Sequence, residues 1–405
     1  MIKVYRHLEQ VATLRGVHQK DGRNLLPSDL SLVEKASVVF DDAKILWVGS
    51  DDDLPAKYQN EKSYDFSGHV LTPEIVDSHT HLVFGGDRAF EYSLRLDGAD
   101  YQEIADRGGG ILSTMRATIN CSEEELFQLG LERVSRIHSY GVGTIEIKSG
   151  YGLTLESERK LSRVINRLKD TFAPNIHIFR TFMAAHAVPK NFSSSSEYLE
   201  KVVLPLLEEF TSDHLIDACD IFHEVGYFSK ADVQSLFDKC LKLGVPVKIH
   251  ADEFGDNGGA AIAAQYQALS ADHLLGTADE GIKTLAHSKT VATLLPGTGF
   301  FLGKPQARAR DFLNAGAKLA LASDFNPGSC HCDNLILIGS LSAKTLGLNS
   351  AELWCALTHN AAHALGLRQQ GAIIEGLKPR FTLFKCPTLS HITYAWGRNF
   401  AQLLP

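Results

Sequence analysis

Two histidines separated by one residue, His79 and His81, are the pair in this sequence best suited to hold a cation. Residues i and i+2 of an extended segment project to the same side, so both imidazoles can reach one ion. Taken alone, such a pair is a weak signal, because it is also typical of a polar turn. His250 and Asp324 complete a set of three imidazoles and one carboxylate. This donor set suits Zn²⁺ or an iron ion, whereas Ca²⁺ and Mg²⁺ prefer more oxygen ligands.

A hydrolytic centre needs an activated water, a group that polarises the bond under attack and a proton for the leaving group. An ion in this site would lower the pKa of a bound water from about 15.7 to near 7, which makes hydroxide available at neutral pH. Glu253, three residues after His250, is a candidate base, and His273 is a candidate electrophile for a carbonyl group. These residues could therefore supply what metal-assisted hydrolysis needs.

These residues follow predicted β-strands that alternate with helices. Runs of β-branched and apolar residues predict strands at 70–77, 143–147, 176–184, 215–222, 246–249, 268–272, 290–295 and 318–322. Capping boxes that begin at Ser122 and Ser229 predict two of the helices, and Gly244 is suited to end the second. Eight strands separated by helices over about 250 residues are typical of a (β/α)8 barrel, in the TIM-like α/β class. A doubly wound sheet is the alternative, but no GxGxxG follows the first strand.

In such a barrel the active site lies at the carboxyl ends of the strands. Six of the eight predicted strands lead into histidine or aspartate, at His79, His186, His223, His250, His273 and Asp324. The predicted chemistry and the predicted fold therefore agree on one face of the barrel.

The two ends of the chain have a different pattern. Short strands with turn residues between them are predicted at 36–40, 45–48, 382–384 and 392–396. We expect residues 1–66 and 371–405 to combine into a small β-sandwich domain, and residues 67–370 to form the barrel.

Composition narrows the possible partners. The 405 residues carry a formal charge of −8 and contain no long basic run, which argues against nucleic acid or an anionic membrane surface. No stretch of about 20 apolar residues is present to span a bilayer. The seven cysteines are scattered and odd in number, as is usual in a reducing compartment. We expect a cytoplasmic protein.

Five motifs resemble those of one enzyme family. They are VDSHTHLVFGGDRAFEY (76–92), RGGGILSTMRAT (107–118), EIKSGYGL (146–153), HADEF (250–254) and SDFNPGS (323–329). Together they are similar to the imidazolonepropionases of histidine degradation, in the metal-dependent amidohydrolase superfamily, and the resemblance covers almost the whole chain. It implies hydrolysis of the lactam C–N bond of 4-imidazolone-5-propanoate, which gives N-formimidoyl-L-glutamate.

The resemblance also implies a role for each matching residue. The implied ligands of one zinc or iron ion per subunit are His79, His81, His250 and Asp324. Glu253 would be the base, His273 would polarise the ring carbonyl, and Asp324 would pass a proton to the leaving nitrogen. Arg88 would grip the propanoate carboxylate of this small anionic heterocycle. The positions that match substrate or product contacts are Arg88, Tyr151, His186, Glu253, Asn326, Gly328 and Ser329. The resemblance further implies a homodimer.

Two other functions stay open on the residues alone. Another mononuclear amidohydrolase, such as a nucleobase-type aminohydrolase, would share the metal ligands but would need no clamp for a carboxylate. Arg88, which distinguishes the two, could instead form an ion pair with Asp87 or Glu91. A catalytically silent barrel that serves as a binding protein would be expected to lack some ligands or the base.

Three local features have no assigned role. Lys148 follows the second strand, whereas the carboxylated lysine of two-metal relatives lies on the fourth, so one metal is expected. His223 and Glu224 could support the site or form a simple polar pair. The Cys330-His331-Cys332 run could bind a second metal, but no CxxC pair accompanies it.

Overall fold

A computed structural model describes residues 1–98 and 109–404 of the chain, so the first two residues of the 107–118 motif lie outside the described residues. The strands are β1 (Lys3–Ala12), β2 (Leu32–Phe40), β3 (Ile45–Ser50), β4 (Lys62–Asp65), β5 (Val70–Pro73), β6 (Ile75–Asp77), β7 (Val142–Lys148), β8 (His177–Ala185), β9 (Ala218–His223), β10 (Ile249–Ala251), β11 (Ser270–His273), β12 (Val291–Leu294), β13 (Lys318–Leu321), β14 (Phe381–Phe384) and β15 (Ala401–Gln402).

The α-helices are α1 (Arg15–Gln19), α2 (Ala89–Leu96), α3 (Ile111–Asn120), α4 (Glu123–Ser139), α5 (Leu155–Phe172), α6 (Ser195–Tyr198), α7 (Leu204–Ser212), α8 (Lys230–Leu243), α9 (Gly259–Gln265), α10 (Asp279–Ala286), α11 (Pro296–Leu302), α12 (Ala309–Asn314), α13 (Leu335–Thr345), α14 (Ser350–Leu357), α15 (His359–His363) and α16 (Leu389–Tyr394). A π-helical turn (Leu199–Val203) joins α6 to α7, and short 3₁₀ turns lie at Pro27–Leu30, Asp51–Asp53 and Ala56–Tyr58. Within the described part of the chain, no helix combines the length and apolar composition needed to cross a membrane.

Strands β6 to β13 form one eight-stranded parallel sheet in chain order. Its two edges are brought together just beyond the strand ends, where Thr80 forms a parallel bridge with Phe325. The amides of Asp324 and His81 donate to the carbonyls of His79 and Phe325, each at 3.0 Å. The sheet is therefore a nearly closed barrel, and the predicted (β/α)8 fold is confirmed.

The strand predicted at 70–77 is two strands that belong to different sheets. β5 pairs with β1 and β14, whereas β6 opens the barrel. Between them lies Glu74, which is buried and forms an ion pair with Arg380 at 2.6 Å. Thr72, Pro73 and Glu74 interrupt the apolar run at this junction, and Pro73 is the local signal that could have revealed the break.

Strands from both ends of the chain form a second, mixed sheet. Its order is β15-β14-β5-β1-β2-β3, with β4 beside β1, and it has its own apolar core that includes Tyr5, Leu8, Val38, Phe40 and Leu383. The prediction that strands from both termini combine is confirmed, and they form one mixed sheet, whereas a separate β-sandwich domain stays a prediction. β5 belongs to this sheet although it lies beyond residue 66. The domain bounds 1–66 and 371–405 stay a prediction.

One prediction in this region is wrong. Residues 392–396 were expected to form a strand, but Leu389–Tyr394 is helix α16. Leu389 and Ile392 are three residues apart, and both are buried, so they share one helical face. The strand that pairs with β14 is instead Ala401–Gln402.

Local capping signals are confirmed. The side chain of Ser122 accepts a hydrogen bond from the amide of Glu125 at the start of α4, within a complete capping box. Ser229 and Asp232 form the same arrangement at the start of α8. That helix ends at Gly244, whose φ of 71° is the left-handed conformation that glycine adopts without strain.

Candidate metal centre and active site

Three imidazoles meet where β6 and β10 end. One ring nitrogen from each of His79, His81 and His250 lies within 4.8 Å of the other two, and all three side chains are buried. The Nε2 atoms of His81 and His250 are 3.3 Å apart, and Nε2 of His79 has no hydrogen-bond partner in the described structure. Burial lowers the pKa of both His79 and His81, which keeps these rings neutral. Neutral imidazoles that face one another are the donors that a metal ion requires.

A carboxylate completes this set of donors. Oδ1 of Asp324 lies 3.5 Å from Nε2 of His79 and 3.8 Å from Nε2 of His81. Its other oxygen accepts a hydrogen bond from the hydroxyl of Thr298 at 2.7 Å, and burial raises the pKa of Asp324 to about 6. Asp324 has a φ of +51°, which is uncommon for a residue other than glycine and is frequent at functional sites. The four predicted ligands therefore lie together.

Two buried carboxylates that were not predicted face the outer nitrogens of the ligands. Nδ1 of His79 lies 2.7 Å from Asp272, and Nδ1 of His250 lies 3.2 Å from Asp220. Such contacts favour a proton on Nδ1 and leave the lone pair of Nε2 free for a metal. Both aspartates lie within strands whose residues are all buried, β9 and β11, and a carboxylate inside a predicted barrel strand is the signal that could have found them.

Two buried lysines lie beneath the imidazoles. Nζ of Lys148 is 2.6 Å from Asp220 and 2.9 Å from Glu146, and Nζ of Lys248 is also 2.9 Å from Glu146. Burial alone would lower the pKa of Lys148, but Asp220, Glu146 and Asp272 together raise it. Lys148, whose role the sequence left open, therefore acts as a buried counter-ion in this structure.

The lysines also bear on the number of metals. A second group of potential ligands, His79, Glu146 and Asp272, converges below the first. The ammonium groups of Lys148 and Lys248 lie 3.7 and 3.6 Å from Asp272, and both contact Glu146. Because these carboxylates already have cationic partners, the arrangement favours a single metal.

Glu253 and His273 lie next to each other at the same face of the barrel. Nε2 of His273 is 3.6 Å from a carboxylate oxygen of Glu253. Burial, with Asp324 and Glu224 nearby, raises the pKa of Glu253 to about 8. Glu224 accepts a hydrogen bond from the amide of Phe254 at 2.8 Å, so it fixes the loop that carries Glu253. This contact answers the open question about Glu224, which supports the site.

A cavity of about 810 Å³ opens above these groups. Its lining includes the predicted site residues His81, Arg88, Tyr151, His186, His250, Glu253, His273, Asp324, Asn326, Gly328 and Ser329. The remaining one, His79, is fully buried beneath it. The structure therefore gathers every site residue that the sequence suggested, along with Phe222, Tyr227 and Arg95, which it did not.

Two parts of the lining are held in place by local contacts. The ring of His186 stacks on that of His81, with centroids 5.0 Å apart, and Tyr151 lies 5.4 Å from His186. Oδ1 of Asn326 accepts hydrogen bonds from the amides of Gly328 and Ser329, each at 2.8 Å. This tight turn lies beside Asp324, because the side-chain amide of Asn326 also donates to the Asp324 carbonyl at 2.7 Å.

Arg88 has both of the environments that the sequence allowed. Its Nε and Nη2 donate to Glu91 at 2.8 and 2.6 Å, which is the ion pair considered as the alternative. Its Nη1 lies so close to Gly328 that a Cβ at that position would overlap it. The absence of a side chain on Gly328 thus lets the guanidinium line the cavity while it stays paired with Glu91.

Comparisons with known proteins identify the family of the chain. The amidohydrolase family model matches residues 70–401. An imidazolonepropionase from Bacillus velezensis is 39% identical over 401 residues, which cover 98% of this chain and 94% of that protein. An imidazolonepropionase from Idiomarina loihiensis is 42% identical over 370 residues, which cover 91% of this chain and 90% of that protein. The resemblance that the sequence motifs indicated is confirmed.

Solved structures share the fold. The atrazine chlorohydrolase of Arthrobacter aurescens, solved as a complex with zinc, superposes with a TM-score of 0.70. The match covers 96% of this chain and 88% of that one, at 14% sequence identity. At this low identity the match supports the architecture of barrel plus terminal sheet, and function has to be argued from the site.

Proposed function

We propose that this chain, which belongs to the imidazolonepropionase family of the amidohydrolases, hydrolyses 4-imidazolone-5-propanoate to N-formimidoyl-L-glutamate. The observation that carries the proposal is the joint placement, in one cavity, of a metal-ligand set and a guanidinium. The imidazoles of His81 and His250 lie at one side, and Arg88 lies beside Gly328 at another. A small anionic heterocycle needs both, whereas a neutral nucleobase would leave the guanidinium without a ligand.

His79, His81, His250 and Asp324 would hold the metal ion. Their three imidazoles and single carboxylate suit zinc or iron. When bound, such an ion supplies positive charge that acidifies a water and stabilises negative charge that develops on the substrate. The unpartnered Nε2 of His79 and the facing nitrogens of His81 and His250 fit this role. Metal analysis of purified protein would distinguish zinc from iron.

Glu253 would take a proton from the attacking water. A base must be ionised, and burial raises the pKa of Glu253 to about 8 when no cation is near. Positive charge in the ligand set would lower that pKa, because an opposite charge within about 4–6 Å favours the ionised form. A pKa below about 8 would leave more of Glu253 ionised at neutral pH, as a general base requires.

The other assigned residues would act on the substrate. His273, adjacent to Glu253, would polarise the ring carbonyl and stabilise its developing negative charge. Asp324 would deliver a proton to the ring nitrogen as the lactam C–N bond breaks. Arg88 would bind the propanoate carboxylate. The remaining predicted contacts of the substrate ring and the product are Tyr151, His186, Asn326, Gly328 and Ser329.

The test is direct turnover. Metal-loaded protein is incubated with freshly generated 4-imidazolone-5-propanoate, and loss of ultraviolet absorbance is followed together with the mass of the product. We expect N-formimidoyl-L-glutamate to appear and a chelator to stop its formation. Guanine and cytosine serve as neutral comparison substrates. Release of ammonia from either, with no action on the imidazolone, would replace this proposal by the nucleobase alternative.

We also propose that the protein is a cytoplasmic homodimer. Its seven cysteines are all unpaired, which fits a reducing compartment. The dimer rests on the family resemblance. Light scattering on purified protein would measure its mass directly, and a monomer at micromolar concentration would contradict the assignment.

A further inference from the structure

We propose that Arg95 forms, together with Arg88, a two-guanidinium subsite for the carboxylate of the substrate. This inference rests on the proposed function, since it specifies how an anionic side chain is recognised in that cavity. Arg95 is seven residues after Arg88, which is the N-cap of α2, so two helical turns place both side chains on one side of the helix. Both residues line the cavity.

The two guanidinium groups flank one glycine. Nη2 of Arg95 donates a hydrogen bond to the carbonyl of Gly328 at 3.0 Å. Nη1 of Arg88 occupies the space beside the Cα of the same residue. Gly328 therefore brings the two cations to one wall of the cavity, close to the turn built on Asn326.

Each guanidinium has one nitrogen, Nη1, without an acceptor among the described residues. Nη1 of Arg95 is buried and has no hydrogen-bond partner within the part of the chain that is described. Arg88 uses Nε and Nη2 on Glu91, and its Nη1 makes no hydrogen bond among residues 1–98 and 109–404. A buried donor without an acceptor is unfavourable, and a carboxylate offers two oxygens that could satisfy two such donors.

The summed charge of Arg88, Arg95 and Glu91 matches a ligand with one negative charge. Burial, reinforced by Arg88, lowers the pKa of Arg95 from its usual value, as expected for two cations held near each other. Glu91 neutralises one of these two charges through its ion pair with Arg88. One positive charge remains, which equals the charge of one carboxylate. Lys304 also lines the cavity, so its contribution has to be separated by experiment.

The test uses metal-loaded, full-length protein and a ligand that cannot be hydrolysed. Imidazole-4-propanoate has the carboxylate side chain but lacks the ring carbonyl, and its carboxamide is the neutral match. Isothermal calorimetry measures both. We expect Arg95→Met to weaken carboxylate binding about 10-fold or more, as for loss of a charge-assisted hydrogen bond, and carboxamide binding less than about 2-fold. Arg95→Lys should restore part of the preference, because it retains the charge.

Two further variants sharpen the result. If both guanidinium groups hold one carboxylate, their contributions to its affinity are coupled. The fold-loss of carboxylate affinity in the double variant Arg88→Met, Arg95→Met will then differ from the product of the two single fold-losses. Lys304→Met removes a cation from the same cavity, and we expect a smaller loss of carboxylate binding. An equal loss would mean that the carboxylate is attracted by the total positive charge of the cavity, and this result would overturn the subsite.

Other outcomes would also overturn it. If Arg95→Met weakens the carboxylate and the carboxamide equally, Arg95 only supports Gly328. If neither ligand is affected, or the unmodified protein does not bind the carboxylate, the subsite does not exist. Failure of the proposed function gives a different result, because Arg95-dependent carboxylate binding would persist while 4-imidazolone-5-propanoate is left unchanged.

Discussion

Buried histidines gather at two places in this barrel, and only one of them is arranged for a metal. The upper cluster is His79, His81 and His250, at the carboxyl ends of the strands. The lower cluster is the buried pair His359 and His363 with the half-buried His18, near the first residue of β13. The rings of His359 and His363 are as close as those above, with centroids 4.1 Å apart. The number and proximity of histidines therefore do not separate the two clusters.

The difference lies in what faces the ring nitrogens. An unpartnered ring nitrogen occurs in both clusters, at Nε2 of His79 above and at Nε2 of His359 below. Above, however, the fully buried Asp272 faces Nδ1 of His79. Below, Nδ1 of His363 lies 3.2 Å from a guanidinium nitrogen of Arg368. The carboxylate nearest to that ring, Asp21, is 60% exposed and 3.9 Å away. Buried carboxylates behind the imidazoles and convergent lone pairs in front of them are what make a metal site.

Removing one ligand from each cluster should have the largest effect. We expect His250→Ala to lose the metal ion and with it all measurable turnover, because only two imidazoles and one carboxylate would remain to hold the ion. His363→Gln, in the lower cluster, should leave the metal content unchanged. Metal analysis per chain checks both variants. Equal metal loss in the two would contradict the distinction between the clusters.

The base should matter nearly as much. Glu253→Gln retains the shape of the side chain but cannot accept a proton, so we expect turnover to fall by about 10²–10⁴-fold. Metal content and unfolding temperature should stay close to those of the unmodified protein. Steady-state kinetics on 4-imidazolone-5-propanoate measure the loss, and near-full activity would remove Glu253 from its assigned role.

The carboxylates behind the imidazoles should have an intermediate effect. Asp220→Asn keeps the size of the side chain but weakens the contact with Nδ1 of His250, so metal affinity should fall about 10–100-fold. Asp21→Asn, beside the lower cluster, is the matched control and should not change it. Competition with a chelator of known affinity gives both values. An unchanged affinity in Asp220→Asn would mean that the contact does not orient the ligand.

The smallest effect concerns pH. Burial lowers the pKa of His359 to about 4, whereas an unfolded histidine titrates near 6.5. Between these values the unfolded chain binds a proton that the native chain does not, so the free energy of unfolding decreases as pH falls. His359→Gln should reduce this slope by up to about 1.4 kcal/mol per pH unit. Denaturant unfolding at pH 6.5 and 5 measures it, with exposed His287→Gln as the control.

Much of the site could be predicted because strand order and strand ends are encoded locally. The His79 and His81 pair, the capping box at Ser122 and the alternation of strands and helices all depend on neighbours in sequence. Other features depend on distant partners. Asp220 and Asp272 gain their roles only when β9 and β11 meet β6 and β10 in the barrel, and no local pattern indicates those contacts.

The same reason explains the errors in the fold. β5 and β6 belong to different sheets because β5 pairs with the distant strands β1 and β14, whereas β6 pairs with β7. Ile392, a β-branched residue within an apolar run, favours a strand locally, but packing of Leu389 and Ile392 on one face makes the segment helical. Tertiary packing decided both cases.

The most direct test of the account is one titration. Metal-free protein is loaded stepwise with Zn²⁺ or Fe²⁺, and bound metal per chain and turnover of 4-imidazolone-5-propanoate are measured on the same samples. We predict that turnover rises in proportion to bound metal and saturates at one ion per chain. Full turnover by the metal-free protein, or activity that appears only with a second ion, would contradict the assignment of a single metal to the upper cluster.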